Sequence, residues 1–372
     1  MTTILHTDKL LPSNTLVFPA THIEGQSYVQ AALERGEGIV QATSEHLSEL
    51  SVRSDDTLQL PYVYEPEFVD AFLSLVVSHN IERVFAPAAA VHIWLERFIN
   101  ESGLSLQLIG ASPIKREMQK FDKLTAKALS FQTFIHACAQ SDNALSTLEI
   151  AAIFQMSGNI YGESNDQKIA AMMAVFASAP KGDVVEIGSL VGKSASVLAL
   201  LAKRYDIGNF LTIDPWAATP AVQNDSPDLV KVQMISEWTI ENIPLDFSLN
   251  LYPIGFGHSN YIQTESEKGF YKYKQDLSAT TQIFGTVTYT GKISVLHIDG
   301  NHDYEKVALD CDLWLTLLDA NGWLILDDYL WIHGDGPYRV GNDLLKDKSD
   351  AIERAFVCGK ALFIKFRNRS SA

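Results

Sequence analysis

Two segments near the C-terminus each run an apolar strand straight into aspartate: SVLHIDGNHDY (Ser294 to Tyr304) and GWLILDDY (Gly322 to Tyr329). A parallel strand covered on both faces stays apolar until it ends. The pattern therefore implies a parallel sheet under helices, with Asp299, Asp327 and Asp328 emerging at strand ends. The carboxyl ends of such strands border the crevice in which open α/β sheets bind ligands. Three carboxylates gathered there repel one another unless something cationic sits among them. A hard divalent metal is the natural partner.

The rest of the chain reads as two α/β runs joined by helices. In residues 1–115, strand signals (TLVFPA, GIVQAT, TLQLPYVY, RVFAPA, LSLQLIG) alternate with helical stretches, which implies a parallel sheet. Pro61 marks the third of these strands as an edge. Residues 116–180 turn helical, with helices expected over Lys123–Ala139, Leu148–Met156 and Lys168–Ala179. Residues 181–372 form the second run. Its strands are expected at Asp183–Gly188, Asn209–Trp216, Leu249–Ile254, Ser294–Asp299, Gly322–Asp327 and Ala361–Phe366, and residues 217–248 and 260–290 read as long connections.

Composition narrows the function classes. With 372 residues, 47% of them hydrophobic, the chain can bury a sizeable core. A net charge of −16 argues against a nucleic-acid partner. Cys138, Cys311 and Cys358 are far apart, so neither a zinc knuckle nor a disulfide framework is suggested. The first twenty residues lack the apolar run of a signal peptide, and no stretch reaches transmembrane length without charge. A cytoplasmic enzyme acting on a small molecule, with no membrane partner, is the expectation. Assembly into a homo-oligomer is left open.

DVVEIGSLVGKSAS (Asp183 to Ser196) reads as strand, glycine turn and helix. Gly188 and Gly192 permit a tight turn and close approach of a ligand. The GKS tail does not make a P-loop, because three residues rather than four separate the glycines. A plain βα turn is the competing reading. Asp214 ends the next strand, where nucleotide-binding α/β folds place an acid that takes ribose hydroxyls. Turn and acid together favour an adenosine ligand.

With these residues in view, the chain resembles the class I S-adenosylmethionine-dependent methyltransferases. More narrowly, IDGNHDYEKVALDCDLWLTLLDANGWLILDDY resembles the metal-dependent sugar O-methyltransferases of the macrocin type, which show D-x-x-H-x-Y, a helix, and a strand ending in D-D. The resemblance covers roughly residues 155–345. It implies a Rossmann-like domain, with S-adenosylmethionine and Mg²⁺ as cofactors and a sugar-bearing small molecule as acceptor. It also implies that Glu186, Gly188, Ser189 and Gly192 lie by the methionine part and that Asp214 holds the ribose. His258 and Ser259, in GFGHSN, would fall near the adenine. Asp299, Asp327 and Asp328 would bind the metal, and His302 or Asp299 would be the base. Residues Leu108 to Leu129 weakly resemble the small α/β domain that precedes ATP-grasp enzymes, which implies substrate recognition or assembly for residues 1–115.

The chemistry agrees with that assignment. A sugar hydroxyl is protonated at neutral pH and is a poor nucleophile. A metal lowers its pKa and fixes its position, and a histidine with an ordinary pKa near ~6.5 can take the proton. Bland readings compete: Asp327–Asp328 as a solvated strand exit, His302 or Asp303 as a helix cap, His297 as a core residue, and Trp331 and His333 as surface loop. The rival functions are a catechol-type O-methyltransferase and a non-catalytic S-adenosylmethionine-binding protein.

Overall fold

In the computed structural model, residues 14–46, 56–139, 143–230 and 239–367 are described. They divide into two compact units, Met1–Lys123 and Leu124–Ala372. In the first, β1 (Asn14–Val17), β2 (Ile39–Thr43), β3 (Thr57–Gln59), β4 (Ile81–Phe85) and β5 (Gln107–Leu108) form an all-parallel sheet in the order β3-β2-β1-β4-β5. Helices α1 (Ile23–Glu34), α2 (Phe68–Ser78) and α3 (Ala89–Ser102) form the β1–β2, β3–β4 and β4–β5 connections, the crossovers that parallel strands require. Leu16, Phe68, Phe72, Val84 and Leu95 are fully buried among them. β3 is an edge strand and stops before Pro61, as a residue without a backbone donor demands.

Helix α4 (Pro113–Ala139) starts ten residues before the expected Lys123. Ser112 and Pro113 are its start signal: the Ser112 hydroxyl accepts the Lys115 N–H at 3.2 Å, and proline is tolerated in a first turn. Helices α5 (Thr147–Gly158) and α6 (Asp166–Phe176) follow and pack within the second unit.

The sheet of the second unit contains β6 (Asp183–Ile187), β7 (Phe210–Ile213), β8 (Ser259–Ile262), β11 (Ile293–Ile298), β12 (Leu318–Leu326), β13 (Ile352–Cys358) and β14 (Ala361–Phe366). Their order is β13-β14-β12-β11-β6-β7-β8. The five strands from β12 to β8 are parallel, and β14 and β13 close the edge as an antiparallel pair. The chain steps outward from β6 to β8, then returns to the other side of β6 for β11. That reversal is the topological switch point where α/β sheets open a crevice. Helices α7 (Lys193–Arg204) and α9 (Ile243–Gly255) pack with α5 and α6 on one face; α10 (Ser266–Asp276), α11 (Tyr304–Trp314) and α12 (Gly336–Asp347) cover the other. A one-turn helix α8 (Ala218–Ala221) follows β7. The Rossmann-like fold expected from the sequence is the one observed.

Two readings of the connections are corrected. Leu249–Ile254 is not a strand but the second half of α9, whose buried Ile243, Phe247 and Leu251 recur every four residues on one helix face. The third strand is instead β8. Residues 260–290 are not an open connection: they hold most of β8, α10 and the antiparallel hairpin of β9 (Ser278–Thr281) and β10 (Gly285–Thr288).

The α5–α7 contact carries a checkable electrostatic contribution. Glu149 closes a capping box with Ser146 at the start of α5 and pairs with Arg204 at the end of α7. The Arg204 hydrogen bond, working against burial, holds the Glu149 carboxyl at about 2. A depressed folded-state value stabilises above the unfolded value of about 4.3 and is lost as pH falls toward the folded one. Both side chains are about a third exposed, so screening limits the contribution to about 0.5–1 kcal/mol. Glu149→Gln should lower the thermal midpoint near neutral pH, and the gap to wild type should narrow as pH falls below about 4 and close near about 2. A gap that persists unchanged in acid would remove the ion pair from the account.

Candidate active site

The register of the parallel strands sets the site. Ile213, Ile187, Ile298 and Leu326 are successive partners across β7, β6, β11 and β12. The residues that follow them, Asp214, Gly188, Asp299 and Asp327, therefore form a row along the carboxyl edge of the sheet. Backbone bonds extend the ladder one step past the strands: Gly188 N–H to Ile213 O, Asp299 N–H to Ile187 O and Asp327 N–H to Ile298 O, each at 2.8–2.9 Å.

Gly188 is required by the sheet as well as by any ligand. Its φ is +81°, and a Cβ there would lie 2.2 Å from the Asp299 carbonyl oxygen. The turn that follows is held by Asp214. One carboxylate oxygen accepts the N–H groups of Ser189 (2.7 Å) and Leu190 (3.1 Å), and the other accepts the Trp216 N–H (2.8 Å). The Trp216 indole donates to Leu190 O at 2.9 Å. Leu190 and Trp216 both adopt left-handed backbone conformations, a strained choice for such side chains that recurs at functional sites. The first oxygen, Oδ2, also accepts the Ser189 hydroxyl at 3.4 Å, whereas Oδ1 accepts Trp216 alone and, with two acceptor positions per oxygen, retains one for a ligand hydroxyl. Burial raises its carboxyl, against the pull of the Ser189, Trp216 and Leu190 donors.

Beyond Gly188 lies a buried polar chain. Glu186, fully buried on β6, accepts or shares a hydrogen with His297 Nδ1 at 2.9 Å, its register partner on β11. His297 Nε2 lies 3.7 Å from Asp299 Oδ2. Lys168, 1% exposed, reaches in from α6: its ammonium contacts Asp327 Oδ2 and stands 3.3 Å from Asp299 Oδ2. On the far side, His302 Nε2 lies 3.2 Å from Asp328 Oδ2. The His302 ring stands edge-on to Trp331, at 4.4 Å between centroids.

Charge is distributed unevenly through this chain. Burial would lower Lys168, but Asp299 and Asp327 outweigh it and hold the ammonium charged. Burial would raise Asp327, but Lys168 outweighs that and keeps it ionised. Asp299 is driven well up by burial and by the Asp327 charge. Asp328 is pushed up to about 7 by burial, then by Asp327. One ammonium thus neutralises one carboxylate, and the other two remain short of positive charge. Burial pushes His302 down to about 4 and lowers His297 as well, so both rings are neutral near pH 7.

The loop after β7 is fastened over the strand end. The Asn301 amide donates to Pro220 O and Val222 O, at 3.1 and 2.8 Å. The Asp303 carboxylate accepts the N–H groups of Asn224 and Asp225 (2.9 and 2.8 Å). Asp303 stands at the N-cap of α11 without capping it; Asp225 from the loop accepts the Tyr304 N–H instead.

The structure brings together Glu186, Gly188, Ser189, Gly192, Asp214, Asp299, His302, Asp327 and Asp328 at one sheet edge. His258 and Ser259 are a correction. His258 O accepts the N–H of Phe210, the first residue of β7, and Ser259 opens β8. Both lie at the amino ends of parallel strands, opposite the crevice. The residues that leave β8 on the crevice side are Gln263 and Thr264. His297 is buried as expected of a core residue, but it joins Glu186 to the cluster. Lys168 was not anticipated. Its one sequence signal is a cation followed by IAAMMAVF, eight residues that are all buried.

A family described as a methyltransferase domain matches residues 185–329. No curated protein matches the chain. Among solved structures, the O-methyltransferase NovP aligns with 65% of this chain and 100% of its own, at 16% identity and TM-score 0.41. The calicheamicin methyltransferase CalS11 aligns with 69% and 94%, at 12% identity and TM-score 0.38. The mycinamycin-pathway methyltransferase MycE, in complex with Mg, SAH and mycinamycin VI, aligns with 52% and 47%, at 15% identity and TM-score 0.30. The matched residues carry the glycine turn and the strand-end acids Asp214, Asp299, Asp327 and Asp328. Among the described residues, no helix is long and apolar enough to cross a membrane.

The donor sets fit the implied groups. Glu186 Oε2, His297 Nε2 and His302 Nδ1 are buried without a hydrogen-bond partner among the described residues. Glu186 Oε2 and the spare capacity of Asp214 suit a ligand that brings an ammonium and hydroxyls. Carboxylate oxygens suit a hard cation. Ligand atoms of Asp299, His302 and Asp328 lie within 4.8 Å of one another, as do those of His297, Asp299 and Asp327, so Asp327 and Asp328 fall in different groupings. Gly188→Ala tests the row directly. A left-handed alanine costs about 1–2 kcal/mol, and its Cβ must displace the Asp299 backbone. The variant should melt lower and bind S-adenosylhomocysteine at least about tenfold more weakly by calorimetry, the factor for 1.4 kcal/mol. Unchanged affinity would mean that turn and strand end are not coupled.

Proposed function

We propose that the protein moves a methyl group from S-adenosylmethionine to a hydroxyl of a sugar or other polyol-bearing small molecule, assisted by Mg²⁺ at the acidic cluster. The observation that carries this reading is the row Asp214–Gly188–Asp299–Asp327, with Asp328 next to its end: a glycine turn with an acid on one side and, on the other, two carboxylates, Asp299 and Asp328, that Lys168 leaves short of positive charge. S-adenosylmethionine supplies an electrophilic methyl group, and the turn with Glu186 and Asp214 would hold it. A divalent cation on Asp299 and Asp328 would lower the pKa of the acceptor hydroxyl.

The chain's own residues supply the rest. His302 Nε2 faces a carboxylate oxygen, so its neutral ring keeps hydrogen on Nε2 and the lone pair on Nδ1. Nδ1 is the unpartnered atom and would take the hydroxyl proton. Trp331 fixes the ring edge-on and offers a partly exposed face to the apolar side of a sugar. The Asn301 and Asp303 contacts hold the 218–226 loop beside it.

Calorimetry should show binding of S-adenosylmethionine or S-adenosylhomocysteine, weakened by about 1.5–3 kcal/mol in Asp214→Ala, the scale of a hydrogen bond to a charge. With labelled cofactor and a panel of free, nucleotide-linked and glycoside sugars plus catechols, label should pass to a sugar hydroxyl. Chelator should stop the transfer. His302→Ala should slow it by about 10²–10⁴-fold with cofactor affinity retained. A protein that binds ATP but neither methionine nucleoside would sink the proposal, and label on catechols alone would replace the acceptor class.

A further inference from the structure

Lys168 has no part in the roles assigned so far, and its position needs explaining. Asn165 caps α6 by accepting the Lys168 N–H at 2.9 Å, which fixes Lys168 in the first helical turn. A cation there meets the positive end of the helix dipole. It is also taken almost wholly out of water, which opposes any ammonium that lacks a partner. Among the described residues, the groups that compensate it are acidic: Asp327 in contact, Asp299 at 3.3 Å, and the more distant charge of Asp328.

The surrounding backbone leaves it little freedom. The β13–β14 hairpin turns at Gly359, whose φ is +58°. A Cβ on Gly359 would lie 2.3 Å from the Lys168 backbone nitrogen and 2.4 Å from the Asn165 cap oxygen. The hairpin therefore packs directly on the first turn of α6. On the next turn and beyond, Ile169 to Phe176 are buried, so the helix cannot rotate to release the side chain.

We propose that Lys168 is the permanent counter-cation of the acidic cluster. Its ammonium takes the bridging place between Asp299 and Asp327 and confines a divalent ion to the Asp299–Asp328 side. The three aspartates then do not act as one chelating triad. Lys168 is a positioning residue: it touches Asp299 and Asp327 and acts on the acceptor only through them. The placement of the divalent ion rests on the function proposed above, whereas the Lys168–carboxylate pairing stands on the contacts alone.

The test is Mn²⁺ binding and thermal stability of the full-length protein, for wild type, Lys168→Met, Lys168→Arg and the double variant Lys168→Met/Asp327→Asn. Removing the ammonium uncovers a carboxylate, so Lys168→Met should bind Mn²⁺ at least about tenfold more tightly than wild type by spin-resonance titration, a change of 1.4 kcal/mol. Mn²⁺ should raise its melting temperature more than that of wild type. Lys168→Arg should keep wild-type Mn²⁺ affinity. The double variant, with both charges gone, should melt higher than Lys168→Met in chelator. Mn²⁺ affinity in Lys168→Met equal to or below that of wild type overturns the proposal. If that variant is insoluble, a double variant that is equally insoluble overturns it too. Wild type that binds no Mn²⁺ while Lys168→Met does would keep Lys168 as counter-cation and remove the metal from the proposed function.

Discussion

The contact between one buried ammonium and two aspartates is the constraint on which this site depends. Unpaired burial of either charge costs several kcal/mol. Lys168 and Asp327 are therefore tolerable only together, and together they fix α6 against the ends of β11 and β12. The pairing also sets what else can enter. A divalent ion about 4 Å from the ammonium would meet a repulsion of about 8 kcal/mol at an effective dielectric of 20, twice the value for two unit charges. Asp299 and Asp328, whose carboxyls are driven upward, are the groups with attraction to spare.

Strained backbone collects around the same edge. Gly188 turns left-handed against the Asp299 carbonyl, Leu190 and Trp216 do so around Asp214, and Asp328 does so at the exit of β12. Aspartate tolerates that conformation better than most residues. At Asp328 it breaks the alternation of the strand, so adjacent acids 327 and 328 both serve the crevice while keeping different partners: Lys168 for one, His302 for the other. The glycine turn and the acidic cluster are thus one mechanical unit joined through the Gly188–Asp299 approach.

The parallel strands were legible because burial on both faces makes them apolar until they end. That pattern located β6, β7, β11 and β12, and with them Asp214, Gly188, Asp299, Asp327 and Asp328. It failed at β8, where Ser259 and Asn260 are buried polar residues on a short strand, and SNYI carries no apolar run. The neighbouring LNLYPI (Leu249–Ile254) reads as a strand in its place, which moves the third strand by half a helix and puts His258 and Ser259 at the wrong end of the sheet. β13 was invisible for the opposite reason: as an edge strand its burial alternates between exposed and half-buried, and its side chains look like surface. Lys168 was missed because a helix-start lysine is ordinarily solvated. Only the packing of the Gly359 hairpin on that turn makes it a core cation.

The most direct measurement is a crystal structure of the wild-type protein with S-adenosylhomocysteine and Mn²⁺, read by the anomalous signal of the metal. The expected result is a manganese peak beside Asp299 and Asp328, Lys168 still in contact with Asp327, and the nucleoside at the Gly188–Asp214 turn. A peak between Asp299 and Asp327, with the Lys168 side chain displaced, would contradict it.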